Sequence, residues 1–274
     1  MSKTILITGA SSGIGKATVK KFQAEGWNVI ATMRNPEKEN ELTSLANILV
    51  TKLDVQDLTS IASTIKEGID MFGKIDVVLN NAGYALMGTF ESASRESVSR
   101  QFDVNVLGLF DVTRAVLPHF RENKSGMFIN ISSIGGKLTF PLMSLYHSTK
   151  FAIEGFSESL HFELEPIGVK VKIVEPGNIK TDFGGRSMDF QHNETLTQYN
   201  QFVAGIMNSF EEMMKTETRS SPNLVADVIF NAATDETNTL RYRAGQDAEQ
   251  LLDGRKAMID AEFIGMMKSN LNIK

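Results

Sequence analysis

The chain has 274 residues, no Cys, and a formal net charge of −5 from 28 Lys and Arg against 33 Asp and Glu. The length suits one α/β domain of roughly 200–300 residues. The missing Cys exclude thiolate catalysis, Cys-ligated zinc and iron–sulfur clusters, and suit a reducing, cytoplasmic compartment. The charge balance argues against nucleic acid or an anionic membrane as the main partner. No apolar run approaches the ~20 residues of a membrane helix. Lys3 opens a predicted strand, so no secretory leader is expected before it.

Strand-like and helical patterns then alternate. Lys3–Thr8 is a short apolar strand that stops at Gly9. Gly13–Glu25 carries Ile14, Ala17, Val19 and Phe22 near helical spacing. Asn28–Met33 is the next strand, broken at Asn35–Pro36. Ile48–Leu53 is the third, with a helix from about Asp57 to Met71 behind it. Ile75–Leu79 is the fourth, followed by a long helix from about Ser97 to Phe120. Met127–Ile131 is the fifth, and a helix from Tyr146 to Glu165 ends at Pro166. Val169–Val174 is the sixth, closed by Pro176–Gly177. Residues 183–221 lose the rhythm. They mix Met188, Met207, Met213 and Met214 and Phe183, Phe190, Phe202 and Phe210 with polar residues. A helix over Asn223–Ala233 and a short strand at Leu240–Ala244 follow. Nearly continuous apolar strands alternating with helices predict a doubly wound parallel sheet of about seven strands, covered on both faces.

The first turn reads Thr8-Gly9-Ala10-Ser11-Ser12-Gly13-Ile14-Gly15. Glycines there permit positive φ and let backbone amides at a helix N-terminus cradle a pyrophosphate. A tight strand-to-helix connection would use the same residues. Tyr146 and Lys150 lie four apart on one helix, so they share a face. An ammonium there would stabilise a tyrosinate and lower the tyrosine pKa. Tyr146 could then serve as acid for a ketone oxygen or base for an alcohol. Such pairs are common surface decoration, but Ser133 leaves the fifth strand at the sheet's carboxyl edge, where ligands of these folds bind. Ser132 is its rival. His147, adjacent to Tyr146, is expected to face away, since helical neighbours point about 100° apart. The four histidines show no ligand spacing with carboxylates, so no metal is assigned.

TGASSGIG, Asn80-Asn81-Ala82-Gly83, Asn105, Ser133, Tyr146-His147-Ser148-Thr149-Lys150 and Pro176-Gly177 stand in the order and spacing of the short-chain dehydrogenase/reductase family, which the chain resembles over residues 1–182, with RYRAGQDA at 241–248 similar to the family's last strand. The resemblance implies a Rossmann-like single domain spanning 1–274, with 183–221 as a substrate loop or lid. It implies a catalytic tetrad of Asn105, Ser133, Tyr146 and Lys150. It favours Ser133 over Ser132. Asn105 would hold a water that links Lys150 to solvent, and Lys150 would also bind the nicotinamide ribose. The cofactor would lie on Gly9, Ser11, Ser12, Gly13, Ile14 and Gly15, with Asp54 and Val55 at the adenine. Asn81, Ala82 and Gly83 would flank the ribose, and Pro176, Gly177, Ile179 and Thr181 the carboxamide.

The second strand ends at Met33-Arg34, without the acidic residue that would bind a free ribose 2′-hydroxyl. Arg34 offers a fork suited to a 2′-phosphate, which favours NADP(H) over NAD(H). The strand end ATMRN is also similar to the branch that includes hydroxysteroid and retinol dehydrogenases. The Met and Phe of 183–221 suit a hydrophobic alcohol or ketone, or an amphipathic helix packed on the domain. The family's helices at 97–120 and 146–165 imply a homodimer or homotetramer. The expectation is an NADP(H)-dependent oxidoreductase interconverting a carbonyl and an alcohol. The competing readings are a non-catalytic NADP(H) sensor, which an intact tetrad disfavours, and a dehydratase or epimerase, which would need further acid–base groups.

Overall fold

A computed structural model describes residues 2–181, 187–215, 219–271 and 273; the side chains at 213 and 214 lie outside the description. Seven parallel strands form one sheet: β1 (Thr4–Ile7), β2 (Asn28–Met33), β3 (Ile48–Lys52), β4 (Val77–Asn80), β6 (Gly126–Ile131), β7 (Val169–Pro176) and β9 (Arg241–Ala244). Their spatial order is β3-β2-β1-β4-β6-β7-β9. The order reverses between β1 and β4, and a doubly wound sheet opens its crevice there, at the carboxyl ends of the strands. The central strands are buried on both faces, which is why they read as unbroken apolar runs.

One face is covered by α1 (Gly13–Ala24) and α7 (Pro222–Thr234). Phe22, Trp27 and Phe230 meet edge to face there. The other is covered by α2 (Leu58–Phe72), α4 (Gly108–Asn123) and α5 (Ser144–Leu164), with Phe120 and Phe128 at its centre. α2 starts where the Asp57 side chain accepts from the Thr59 and Ser60 amides, so the predicted start was one residue early. Lys172 of β7 is 1% exposed, and its ammonium sits 2.5 Å from Asp235 Oδ1 and 2.8 Å from the Tyr242 hydroxyl.

The structure departs from the predicted elements in three places. The long helix is broken into α3 (Arg95–Phe102) and α4 by a π-type turn over Asp103–Leu107. β5 (Ala85–Gly88) pairs with β8 (Met188–Gln191) in a separate two-stranded ribbon. α8 (Gln246–Ala257) and α9 (Asp260–Asn270) were not anticipated as elements, and α6 (Asn200–Lys215) is the amphipathic helix that was one of the two readings of residues 183–221. Met188, Met207 and Phe210 pack with Met87, Leu142, Met143, Val203 and Ile206 in a small core of their own. Phe190 and Phe202 are exposed, and Phe183 lies outside the described residues. Among the described residues, no helix is long and apolar enough to cross a membrane.

Candidate active site

The β1–α1 turn is built from backbone. Gly9 and Gly13 have φ of 68° and 55°, and a Cβ on Gly15 would stand 2.3 Å from the Gly9 carbonyl oxygen. Only glycine fits that arrangement. Ser12 caps α1 without a side-chain hydrogen bond, so the first amides of the helix have no cap of that kind. Those amides border a cleft of about 1040 Å³ along the carboxyl edge of the sheet. A pyrophosphate fits this cradle by charge and by space.

The cleft runs from Arg34 past the turn to Tyr146 and beyond. Gly9, Ser11, Ser12, Gly13, Ile14, Arg34, Asp54, Val55, Asn81, Ala82 and Gly83 line its first half. Ser133, Tyr146, Lys150, Pro176, Gly177, Ile179 and Thr181 line its middle. Gly15 lies behind the turn and does not line it. Asp182 lies outside the described residues. Thr8 was missed by the sequence reasoning. Its hydroxyl accepts from the Asn81 and Ala82 amides at 2.9 and 3.0 Å and so ties β4 to the turn. Its place immediately before Gly9 was the available signal. Asn81 uses its side-chain amide on the Thr8 and Gly9 carbonyls, at 2.9 and 3.1 Å. That side chain therefore shapes the turn as well as bordering the cleft. Arg34 is exposed at the end of β2 and forms no ion pair among the described residues. Met33, next to it, is 4% exposed and belongs to the core.

Ser133, Tyr146 and Lys150 meet at the centre of the cleft. Tyr146 and Lys150 are 7% and 8% exposed. Burial pushes the Tyr146 phenol up to about 12, against the pull of a hydrogen bond with Ser133. The Ser133 oxygen also accepts from the Gly135 amide at 3.0 Å. Burial pulls Lys150 down to about 8, and the charge of Glu154 opposes that. The Lys150 ammonium donates to the Ile131 carbonyl at 2.8 Å and stands 5.7 Å from the Tyr146 ring centre. The expected lowering of the Tyr146 pKa by Lys150 does not appear here: burial of the phenol dominates, and the Lys150 hydrogen bond goes to the backbone. At neutral pH both groups hold their protons, so the site presents a proton donor.

Asn105 joins from behind the cleft. It sits in the π-type turn, 2% exposed. Its side chain accepts from the Tyr84 amide and donates to the Tyr84 carbonyl and to Thr149 Oγ1, at 3.0, 2.9 and 3.1 Å. It thus fixes the chain that follows Gly83. His147 does border the cleft, contrary to the expected orientation. Its Nδ1 is 2.8 Å from the Gly135 carbonyl, and its Nε2 accepts from the Phe140 amide at 2.9 Å. Those bonds require the neutral ring, and burial lowers its pKa in the same sense. His147 pins the loop that carries Ser133. Beyond Tyr146, the cleft is walled by Val104, Phe140, Met143, Met188, Phe210 and Leu251. An Arg100–Asp189 ion pair stands at its rim, over the Tyr84 ring.

The family model described as short chain dehydrogenase matches residues 3–192. An uncharacterised oxidoreductase of Schizosaccharomyces pombe is 40% identical over 242 residues, which cover 88% of this chain and 100% of that protein. The 3-ketodihydrosphingosine reductase of Bacteroides thetaiotaomicron is 39% identical over 214 residues, 78% of this chain and 76% of that protein. A solved short-chain dehydrogenase from Streptomyces avermitilis superposes with a TM-score of 0.84 at 34% identity, over 100% of this chain and 98% of that one. Solved neighbours include complexes with NADP and with NADH.

Proposed function

The chain belongs to the short-chain dehydrogenase family of oxidoreductases, and from that premise we propose that it interconverts a moderately hydrophobic ketone or aldehyde and its alcohol with NADP(H). The observation that carries this reading is one cleft joining Arg34, the amide cradle of the first turn, and Ser133, Tyr146 and Lys150. A nicotinamide cofactor supplies hydride when bound. The first amides of α1 would hold its pyrophosphate, and Gly9 to Ile14, Asp54, Val55 and Asn81 to Gly83 its adenosine half. Arg34 would take the 2′-phosphate. Pro176, Gly177, Ile179 and Thr181 would hold the carboxamide end.

Ser133 orients the substrate oxygen, and Tyr146 gives it a proton. A phenol that burial holds protonated is suited to that step. Lys150 compensates the phenolate left behind and binds the ribose. Asn105 supports the tetrad through the backbone of Tyr84. The apolar wall beyond Tyr146 favours a hydrophobic carbonyl. The name of the Bacteroides relative, a keto reductase, supports the same chemistry. β8 and α6, the described elements within 183–221, form the substrate lid in this reading; residues 183–186 and 216–218 of that segment lie outside the described residues. Exposed Leu107, Phe151 and Phe162, on the helices expected at subunit contacts, support a homodimer or homotetramer.

A panel of ketones and alcohols with NADPH and NADP⁺, followed by nicotinamide absorbance, tests the proposal. Turnover of a hydrophobic carbonyl is expected. Cofactor binding with no turnover on any member would favour the non-catalytic sensor.

A further inference from the structure

The segment RYRAGQDA carries one acid, Asp247, that the reaction described above does not use. Asp247 is the second residue of α8 and borders the cleft beside Gly177 and Asn178. β9 brings it there by pairing Ala244 with Pro176. Its Oδ2 accepts from the Asn178 amide at 2.5 Å and so serves the chain that leaves β7. The same stretch has two further ties. The Gly177 amide donates to the Ala244 carbonyl at 3.0 Å, and the Ser220 amide donates to the Asn178 carbonyl at 3.2 Å. Of these three ties, only that of Asp247 is made by a side chain. Glycines make room for it. A Cβ on Gly177 would stand 2.3 and 2.4 Å from the two carboxylate oxygens, and one on Gly245 would stand 2.6 Å from Oδ1. Gly177 does not have a positive φ, so its missing side chain serves space and not backbone freedom. Oδ1 is buried without a hydrogen-bond partner among the described residues.

We propose that Asp247 is a positioning residue for the nicotinamide: its carboxylate holds the Gly177–Asn178 backbone in the shape that receives the carboxamide. The inference rests on the reading of Pro176, Gly177, Ile179 and Thr181 as the carboxamide cradle. A buried acceptor left unpaired destabilises a fold, so packing alone would favour a small apolar side chain at position 247. The carboxylate adds a charge-assisted hydrogen bond to the Asn178 amide. The N-terminus of α8 favours the ionised form that makes this bond strong. Asn178 stands between Gly177 and Ile179, so the bond sets the cradle's backbone from behind. A ring held by a prebuilt backbone is the orientation that hydride transfer needs. The sequence carried a signal for this: Gly245 two residues before an acid, on the strand predicted to follow Pro176-Gly177.

Calorimetric titration of the full chain with NADPH and with 2′-phospho-ADP-ribose, the same molecule without its nicotinamide, tests this without turnover. NADH and ADP-ribose form a parallel pair, so the outcome does not depend on the 2′-phosphate. In wild type the nicotinamide should tighten binding. Asp247→Ala should weaken NADPH about tenfold, the scale of one charge-assisted hydrogen bond, and leave 2′-phospho-ADP-ribose within about twofold. Exchange of the Asn178 amide, followed by NMR, should speed up in the same variant. Glu249→Gln removes the other acid in the first turn of α8, which pairs with Arg243, and should change none of these. A merely structural role would weaken both ligands together or neither, and either result overturns the proposal. Unchanged Asn178 exchange overturns it too. Faster exchange with unchanged NADPH affinity overturns the link to the cofactor. Gly177→Ala presses a methyl group on the carboxylate and should also weaken NADPH alone. Combined with Asp247→Ala it should do no further harm, and additive losses overturn the proposal. If Asp247→Ala fails to fold, Gly177→Ala decides: equal weakening of both ligands, or of neither, overturns it. A wild type that binds NADPH and NADH no tighter than their fragments overturns the cradle and the proposal with it. Tight binding without turnover of any carbonyl or alcohol defeats only the proposed reaction, and the affinity ratio still decides the role of Asp247.

Discussion

Replacing Arg34 with Ala isolates the contact on which cofactor choice turns. The guanidinium stands exposed at the end of β2, beside the adenosine half of the cleft, and no ion pair among the described residues occupies it. The acid nearest in sequence that is buried, Glu39, is committed to Lys16 and to the Glu41 and Leu42 amides. It does not compete for a phosphate at Arg34. A charge-assisted hydrogen bond contributes about 1.5–3 kcal/mol. Exposure and salt place this one at the lower end. The expected loss for NADPH is therefore about 1.5–2 kcal/mol, roughly 10–30-fold in kcat/KM. NADH has no 2′-phosphate and should change by less than about twofold. The ratio of kcat/KM for the two cofactors, measured in wild type and Arg34→Ala at low and high ionic strength, reads this directly. The wild-type preference for NADPH should shrink as salt rises. Equal weakening of both cofactors, or a wild type that already prefers NADH, would refute the reasoning. Met33→Asp should also move preference toward NADH. It is the less clean variant, because Met33 is 4% exposed and a carboxylate there is partly desolvated.

Tyr146→Phe should keep the fold and cofactor binding while turnover falls about 10²–10⁴-fold, since packing survives and the transferable proton does not; near wild-type rates on the best substrate would remove Tyr146 from the mechanism. Asp235→Asn should strip the fully buried Lys172 of its counter-charge, costing about 3–5 kcal/mol and lowering Tm by roughly 6–20 °C in a thermal melt. Although burial works against it, the Lys172 and Tyr242 hydrogen bonds hold the Asp235 carboxyl down to about 2. Its contribution is present above the ordinary carboxylate pKa and is lost as pH falls from about 4 toward 2. The variant should show a flatter acid dependence in that window, and an unchanged one would contradict the pairing. Hydrogen exchange in α6 should slow when cofactor and a turned-over substrate bind together; uniformly slow exchange without them would make α6 a rigid packing element and end the lid reading.

The sheet was legible because each central strand is buried on both faces, so burial wrote itself into the chain as short runs dominated by apolar residues. The ribbon of β5 and β8 left no such trace. Its two strands are four residues each and about a hundred residues apart, and only the folded chain brings Ala85 opposite Met188. α6 was legible only as one of two readings of its segment, for a different reason. Its apolar face is met by a small local core around Met87 and Leu142, and interspersed polar residues blur the period. The π-type turn at Asp103–Leu107 is a change of hydrogen-bond register inside a helix, which side-chain periodicity does not record. Yet that turn presents Asn105 to the Tyr84 backbone.

At the site, spacing revealed which groups meet and burial decided what they do. Tyr146 and Lys150 share a face because they are four apart, and Ser133 reaches them from the end of β6. The sign of the Tyr146 shift could not be read the same way. It turns on the loss of water around the phenolate, and only the enclosure of the ring in the folded chain decides it. His147 shows the same limit from the other side. Its 100° rotation from Tyr146 is a property of the helix. Where that direction leads depends on the Gly135–Phe140 loop folding back over α5, so that both ring nitrogens find backbone partners. Helical geometry supplied the direction of the side chain, and the long-range return of the chain supplied its task.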